Sequence, residues 1–200
     1  MLQGEGTLLG AAAVIVAAVI GGSTFKSWRR QEVAGRKLAQ AERILEATYK
    51  ARRALSYVRG RMIWAHELTA AEDTLKEGEQ WERTFEPKQK RMVTTQAYFN
   101  RLNKTHDEQT ALDACLPMAR ALFGEELEKA IETLRHQFWI VQVDAESYMD
   151  DEGDDREFSR KIRRGMHEVK PPDGEVNEVT EKIETAVATI ETTCLPVLRG

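Results

Sequence analysis

Twenty consecutive residues, Gly6 to Phe25, carry no charged side chain. The run reads GTLLGAAAVIVAAVIGGSTF, with Glu5 before it and Lys26 after it. As a helix rising ~1.5 Å per residue it would be ~30 Å long, about the thickness of a bilayer's hydrocarbon core. A cleaved export signal would place Lys or Arg ahead of the apolar run, and Met1 to Thr7 hold neither. The expectation is a retained transmembrane anchor over residues 1–25. A cleaved leader and a buried Ala-rich helix are the alternatives.

The flanks predict which way such a span points. Lys26, Arg29, Arg30, Arg36 and Lys37 crowd its C-terminal side, and positive charge beside a span stays in the cytoplasm. This predicts a single-pass protein of the bacterial inner membrane, with its N-terminus outside and its body cytoplasmic. Phe25 and Trp28 stand where interfacial aromatics belong. Lys26, Trp28, Arg29, Arg30, Arg36 and Lys37 are therefore the expected contacts with the bilayer surface and its anionic head groups, at ~1 kcal/mol per nearby cation. Small residues at Gly6, Gly10, Ala13, Ala17 and Gly21 would let two such helices approach, so a homo-oligomer is one candidate assembly.

A net charge of −4 conceals a division along the chain. Lys26 to Trp64 holds 11 basic residues against 3 acidic ones, whereas Ala65 to Gly200 holds 18 against 29. Screening over ~8 Å keeps the membrane from explaining the distal part of this basic stem. Arg43, Lys50, Arg52, Arg53, Arg59 and Arg61 either pair with the acidic helices of the same body or form a face for an acidic protein partner. Nucleic acid fits less well, because no interleaved aromatics or reader fold accompany the charge.

Apolar spacing beyond the stem is helical throughout. Leu38, Ala41, Leu45, Thr48, Leu55, Val58, Met62 and Ala65 predict one face of a long helix reaching Glu77, with Gly35 and Gly60 as points of bending and Gly78 as its stop. Pro87 suits the first turn of a second helix carrying Val93, Ala97, Leu102 and Leu112, which Pro117 would end or kink. Leu127, Ile131, Leu134, Phe138, Val141, Ala145 and Tyr148 alternate steps of four and three, the pattern of a bundle core. Around Phe138 to Val141 this third helix is apolar on nearly all sides and is expected to be the most buried. Asp150 to Asp155 should end it, a short extra helix is expected in the basic segment that follows, and Pro171 to Gly174 reads as a turn. Val176, Val179, Ile183, Ala186, Ile190 and Thr193 mark the last helix.

These elements predict an all-α protein: an N-terminal transmembrane helix (1–25), a basic juxtamembrane stalk (26–37) and an antiparallel up-and-down four-helix bundle (38–200). The two cysteines recur in one motif, Cys-Leu-Pro-x-x-Arg, at Cys115 and Cys194. Both are expected at the ends of helices and at the same pole of the bundle. They read as packed thiols, as a disulfide requiring an oxidising compartment, or as a redox-responsive pair.

No cofactor or metal is called for. Glu132 precedes His136 by four residues rather than the three of a di-iron bundle, and the acidic loop lacks the glycine position and distal glutamate of a calcium loop. The function expected is a non-enzymatic, membrane-anchored interaction or assembly module. Two alternatives stand beside it: an extracytoplasmic sensor or folding-related domain locked by a Cys115–Cys194 disulfide, and an enzyme with a site built around His66, His106 and His136.

Overall fold

The computed structural model describes the backbone of residues 5–78, 81–82, 84–168 and 176–199, and side chains from Lys26 onward within that set. Among the described residues the fold is all-helical, with no strand. Eight helices follow in order: α1 (Glu5–Val58), α2 (Ala65–Lys76), α3 (Glu86–Lys104), α4 (His106–Asp113), α5 (Leu116–Phe123), α6 (Glu125–Asp150), α7 (Arg156–Met166) and α8 (Glu178–Arg199). The chain divides into two compact units, Met1–Gln40 and Ala41–Gly200, and α1 contributes residues to both.

No helix among the described residues is long and apolar enough to cross a membrane. The expected span falls on side chains outside that set, as does the turn expected at 171–174.

In the second unit α6 is the central element and packs against α3, α4, α5, α7 and α8. Its predicted seam is the core: Leu127, Ile131, Leu134, Phe138, Val141 and Ala145 are buried, and Tyr148 packs at the edge. The expectation that Phe138 to Val141 would be buried all round fails at Trp139, which is 51% exposed and stacks on His136. α3 runs antiparallel to α6: Lys88 pairs with Asp150, Arg91 bonds the carbonyl of Met149, and Thr95 Oγ1 donates to that of Ala145. α8 runs antiparallel to the last part of α1, with Tyr49 bonded to Glu191 at one level and Arg59 to Thr180 at another.

Three boundaries differ from those expected. The long first helix stops at Val58 instead of reaching Glu77, so Met62 and Ala65 leave its buried face and stand exposed. Gly35 does not interrupt the helix, whereas Gly60 lies in the break. The second helix is three, α3, α4 and α5, and Pro117 occupies the first turn of α5, where its missing N–H costs nothing, rather than ending a helix. Cys115 therefore precedes α5, and Cys194 lies inside α8, which continues through Pro196 to Arg199.

The acidic loop after α6 has a structural use. Asp155 caps α7, its Oδ1 accepting from the amides of Glu157 at 2.9 Å and Phe158 at 3.1 Å. Asp151 accepts from Gly153 N and from Ser159 Oγ, and Gly153 has a positive φ of 84°, a conformation for which glycine carries no β-carbon penalty.

Candidate interaction surface

Two arginines lie in the interior of the second unit, and their donors are directed at chain ends. Arg59, just past α1, is 1% exposed. Its Nε donates to the carbonyl of Gly165 at 2.9 Å, and its Nη2 to those of Arg164 at 3.1 Å and His167 at 3.0 Å. These carbonyls belong to the final turn of α7 and its C-cap, His167, where helix acceptors have no intrahelical partner. The same guanidinium reaches Asn177 Oδ1 at 3.0 Å and Thr180 Oγ1 at 3.1 Å. Asn177 also accepts from Thr180 N, so it caps α8 while holding Arg59. One side chain thus ties the end of α7 to the start of α8.

Arg101, on α3, is 3% exposed and closes the break after α1. It donates to the carbonyls of Gly60 at 2.8 Å and Met62 at 2.6 Å. Its Nε and Nη2 also grip both oxygens of Glu67 on α2, at 2.8 and 2.6 Å. That two-pronged, charge-assisted pairing holds the Glu67 carboxyl at about 2, well below the ordinary carboxylate range. Glu67 in turn accepts from Trp64 N at 2.9 Å and Tyr57 Oη at 3.3 Å. The Tyr57 ring lies under the Arg101 guanidinium at 5.3 Å.

The loop held by Arg101 turns apolar side chains outward. Met62 is 64% and Trp64 58% exposed, Tyr57 is exposed beside them, and so are Arg61 and, one turn back on α1, Arg53. No ion pair joins Arg53 or Arg61 to an acidic residue among the described residues.

A third group of polar residues joins α3 and α6 to the end of α7. Tyr98 Oη stands 3.0 Å from His167 Nδ1, and burial pushes the Tyr98 phenol up to about 12. His167 is shifted down by burial and by the positive charges of Arg61, Arg163, Arg59 and Arg101. Asp144 on α6 faces Gly165 of α7, and burial raises its carboxyl to about 6 against the opposing pull of Lys161 and Arg59.

The residues singled out from sequence are distributed as follows. In the first unit Lys26, Trp28, Arg29, Arg30 and Arg36 are exposed and Lys37 is partly covered; Arg36 pairs with Glu32 at 3.0 Å. Lys26, Arg29, Arg30, Val33, Ala34 and Lys37 line one open groove along the helix. In the second unit Arg43, Lys50, Arg52, Arg53 and Arg61 are exposed, and Lys50 pairs with Glu46 on its own helix rather than with an acidic helix elsewhere. Arg59 departs from the face assigned to it: it is in the interior because five acceptors converge there on its three nitrogens.

Cys115 and Cys194 are fully buried free thiols of the same core cluster. Burial raises both; Cys194 reaches about 11, with the neighbouring Cys115 adding to the shift, while the Arg43 charge opposes it at Cys115. His66, His106 and His136 stand exposed on three different helices, α2, α4 and α6. No group of three His, Cys, Asp or Glu side chains among the described residues is arranged to hold a metal ion.

Arg101, Glu67, Tyr57, Tyr98, His167 and Asn177 were not singled out from sequence. One signal was available: Arg101 follows Ala97 by four residues and Tyr98 by three, which places a cation on the buried face of its helix. Compared with protein-family models, with curated proteins and with solved structures, the chain matches none.

Proposed function

We propose that this chain is a membrane-tethered helical module whose work is to bind another protein rather than to catalyse a reaction. In this reading Gly6 to Phe25 is a single-pass anchor in a bacterial inner membrane, and the body lies in the cytoplasm. The last part of α1 with α3, α6 and α8 then forms an up-and-down four-helix bundle.

The observation that carries the tether is the basic groove. Lys26, Arg29, Arg30 and Lys37 share one side of α1 with Val33 and Ala34, immediately after twenty uncharged residues. Cations around a small apolar strip suit an anionic head-group layer. The interaction role rests on a rigid body that holds apolar side chains in solvent.

A cysteine introduced at exposed Glu152, in the loop after α6, tests the arrangement. A membrane-impermeant maleimide should label this reporter only after cells are lysed, and the protein should sediment with membranes until detergent is added. Labelling in intact cells would place the body outside. If Cys115 and Cys194 then also required reduction before reacting in the denatured protein, the disulfide-locked extracytoplasmic reading would replace this one.

A further inference from the structure

We propose that the Arg61–Trp64 loop, with Tyr57 and Arg53 beside it, is the docking site for an acidic segment of a partner protein that carries an apolar anchor. This deepens the interaction reading above and names its partner by chemistry. It does not depend on the tether.

The first argument is rigidity. A loop whose only task is to join α1 to α2 needs no buried cation. Here Arg101 bonds the carbonyls of Gly60 and Met62, and its ion partner Glu67 fixes Trp64 N and Tyr57 Oη. An Arg–Glu pair taken out of water is at best weakly stabilising compared with an apolar substitute. Its effect here is to fix the shape of a segment whose side chains point outward. Preordering of this kind lowers the entropy lost when a partner docks.

The second argument is what the loop presents. Met62 and Trp64 are more than half exposed, and Tyr57 lies on the same carboxylate that holds Trp64. Trp, Tyr, Met and Arg are the residue types enriched at interface centres and hot spots.

The third argument is charge, and it selects the occupant. Arg53 and Arg61 flank the apolar residues, and neither is joined by an ion pair to an acidic residue among the described residues. The carboxylate beneath the loop, Glu67, is already taken up by Arg101. A partner that covers Met62 and Trp64 must therefore bring carboxylates to the rim and an apolar group to the centre. A bilayer would need the loop at its surface. A second copy would need to offer an acidic patch with an exposed apolar side chain.

The test is selection of a random short-peptide phage library on the full-length protein in mild detergent. Enriched peptides should share Asp or Glu flanking an aromatic or aliphatic residue. With Trp28, Trp81 and Trp139 replaced by Phe so that Trp64 is the sole reporter, synthetic versions should shift Trp64 fluorescence saturably and bind more weakly as salt rises. Trp64→Ser and Met62→Ser should each weaken binding at least about tenfold, the scale of a hot-spot residue. Arg53→Ala with Arg61→Ala, both at exposed positions, should weaken binding of the acidic peptides but not of their Gln analogues.

Enrichment without acidic bias, or peptides that bind the Trp64→Ser protein equally well, would overturn the proposal. So would Trp64 shifts produced by phosphatidylserine vesicles or by raising protein concentration, with no response to peptide. Because no step uses the membrane, failure here leaves the tether to be judged by fractionation alone.

Discussion

The guanidinium of Arg101 and the carboxylate of Glu67 meet through two parallel bonds, of 2.8 and 2.6 Å, in the interior between α2 and α3. Neither group is there for its own pairing alone. Arg101 also satisfies the carbonyls left open where α1 stops, and Glu67 the amide at the start of α2. Breaking one partner leaves the other's charge and several backbone groups uncovered.

Glu67→Gln should therefore destabilise the second unit by about 3–5 kcal/mol at neutral pH, the range for removing one side of a buried ion pair. The pH dependence has a definite sign. The Glu67 carboxyl is depressed from 4.5 to about 2, so its contribution is complete above about 4.5 and is lost as pH falls toward 2. Urea melts of both proteins across this range should converge at the acid end. Curves that stay parallel would show that the pair is not what holds the loop.

A side chain at Gly165 requires Asp144 to move. A β-carbon built on it would overlap the carboxylate of Asp144, across the contact between α7 and α6. Gly165→Ala should cost about 1–3 kcal/mol, the range for overpacking. Adding Asp144→Ala opens that space and should recover much of the loss, a coupling that a double-mutant cycle reads directly. Additive effects would mean that the Asp144 side chain swings aside, or α7 shifts, at little cost.

Asp144→Asn tests burial of the charge without altering the shape. The native carboxyl is raised from 3.8 to about 6, so ionising it costs stability above that value and nothing below about 3.8. Some of the shift is offset by solvent reaching a group that is not fully covered. The substitution should stabilise the protein by about 1–2 kcal/mol at pH 7.5, with the gain shrinking as pH falls through 6 toward 4. Thermal melts at these pH values measure it. His167, shifted down and paired with Tyr98, remains in both proteins and cancels in the difference.

Arg59→Met removes five donor contacts but leaves fewer orphans than that number implies. Asn177 Nδ2 also donates to the carbonyls of Arg164 and His167, at 3.0 and 2.9 Å, so these keep a partner. Gly165 O loses the one side-chain donor it has among the described residues. A cost of about 2–3 kcal/mol follows, concentrated at the α7–α8 junction. Hydrogen exchange should show α7 losing protection while α3 and α6 keep theirs. Uniform loss across all helices would mean that the junction does not open separately.

Helices were readable from sequence wherever burial follows periodicity, and α6 is the best example. Six of its seven predicted seam residues are buried because one face meets several neighbours at once. Periodicity failed where it continued past a helix end. Met62 and Ala65 stay in step with Leu55 and Val58 but lie beyond the break. Nothing local in the sequence shows that a guanidinium some forty residues later will donate to the carbonyls of that break. Proline misled for a similar reason: Pro117 could end one helix or start the next, and only packing on α6 selects the start. The basic stem concealed Arg59 because composition counts charges without distinguishing a donor bound for water from one bound for a helix end.

The Arg59 clasp also bears on the order in which the chain is made. Its partners lie 105 to 121 residues further along. At roughly 5–20 residues per second, a ribosome takes about 5–25 seconds to supply them. Until they are made, the Arg59 guanidinium lacks the acceptors that hold it in the folded body. A nascent chain halted before Arg164 would lack all five of these acceptors, and one halted before Asn177 would lack the two that tie Arg59 to α8. Closure of the α7–α8 junction around Arg59 is thus reserved for the last segment to be translated.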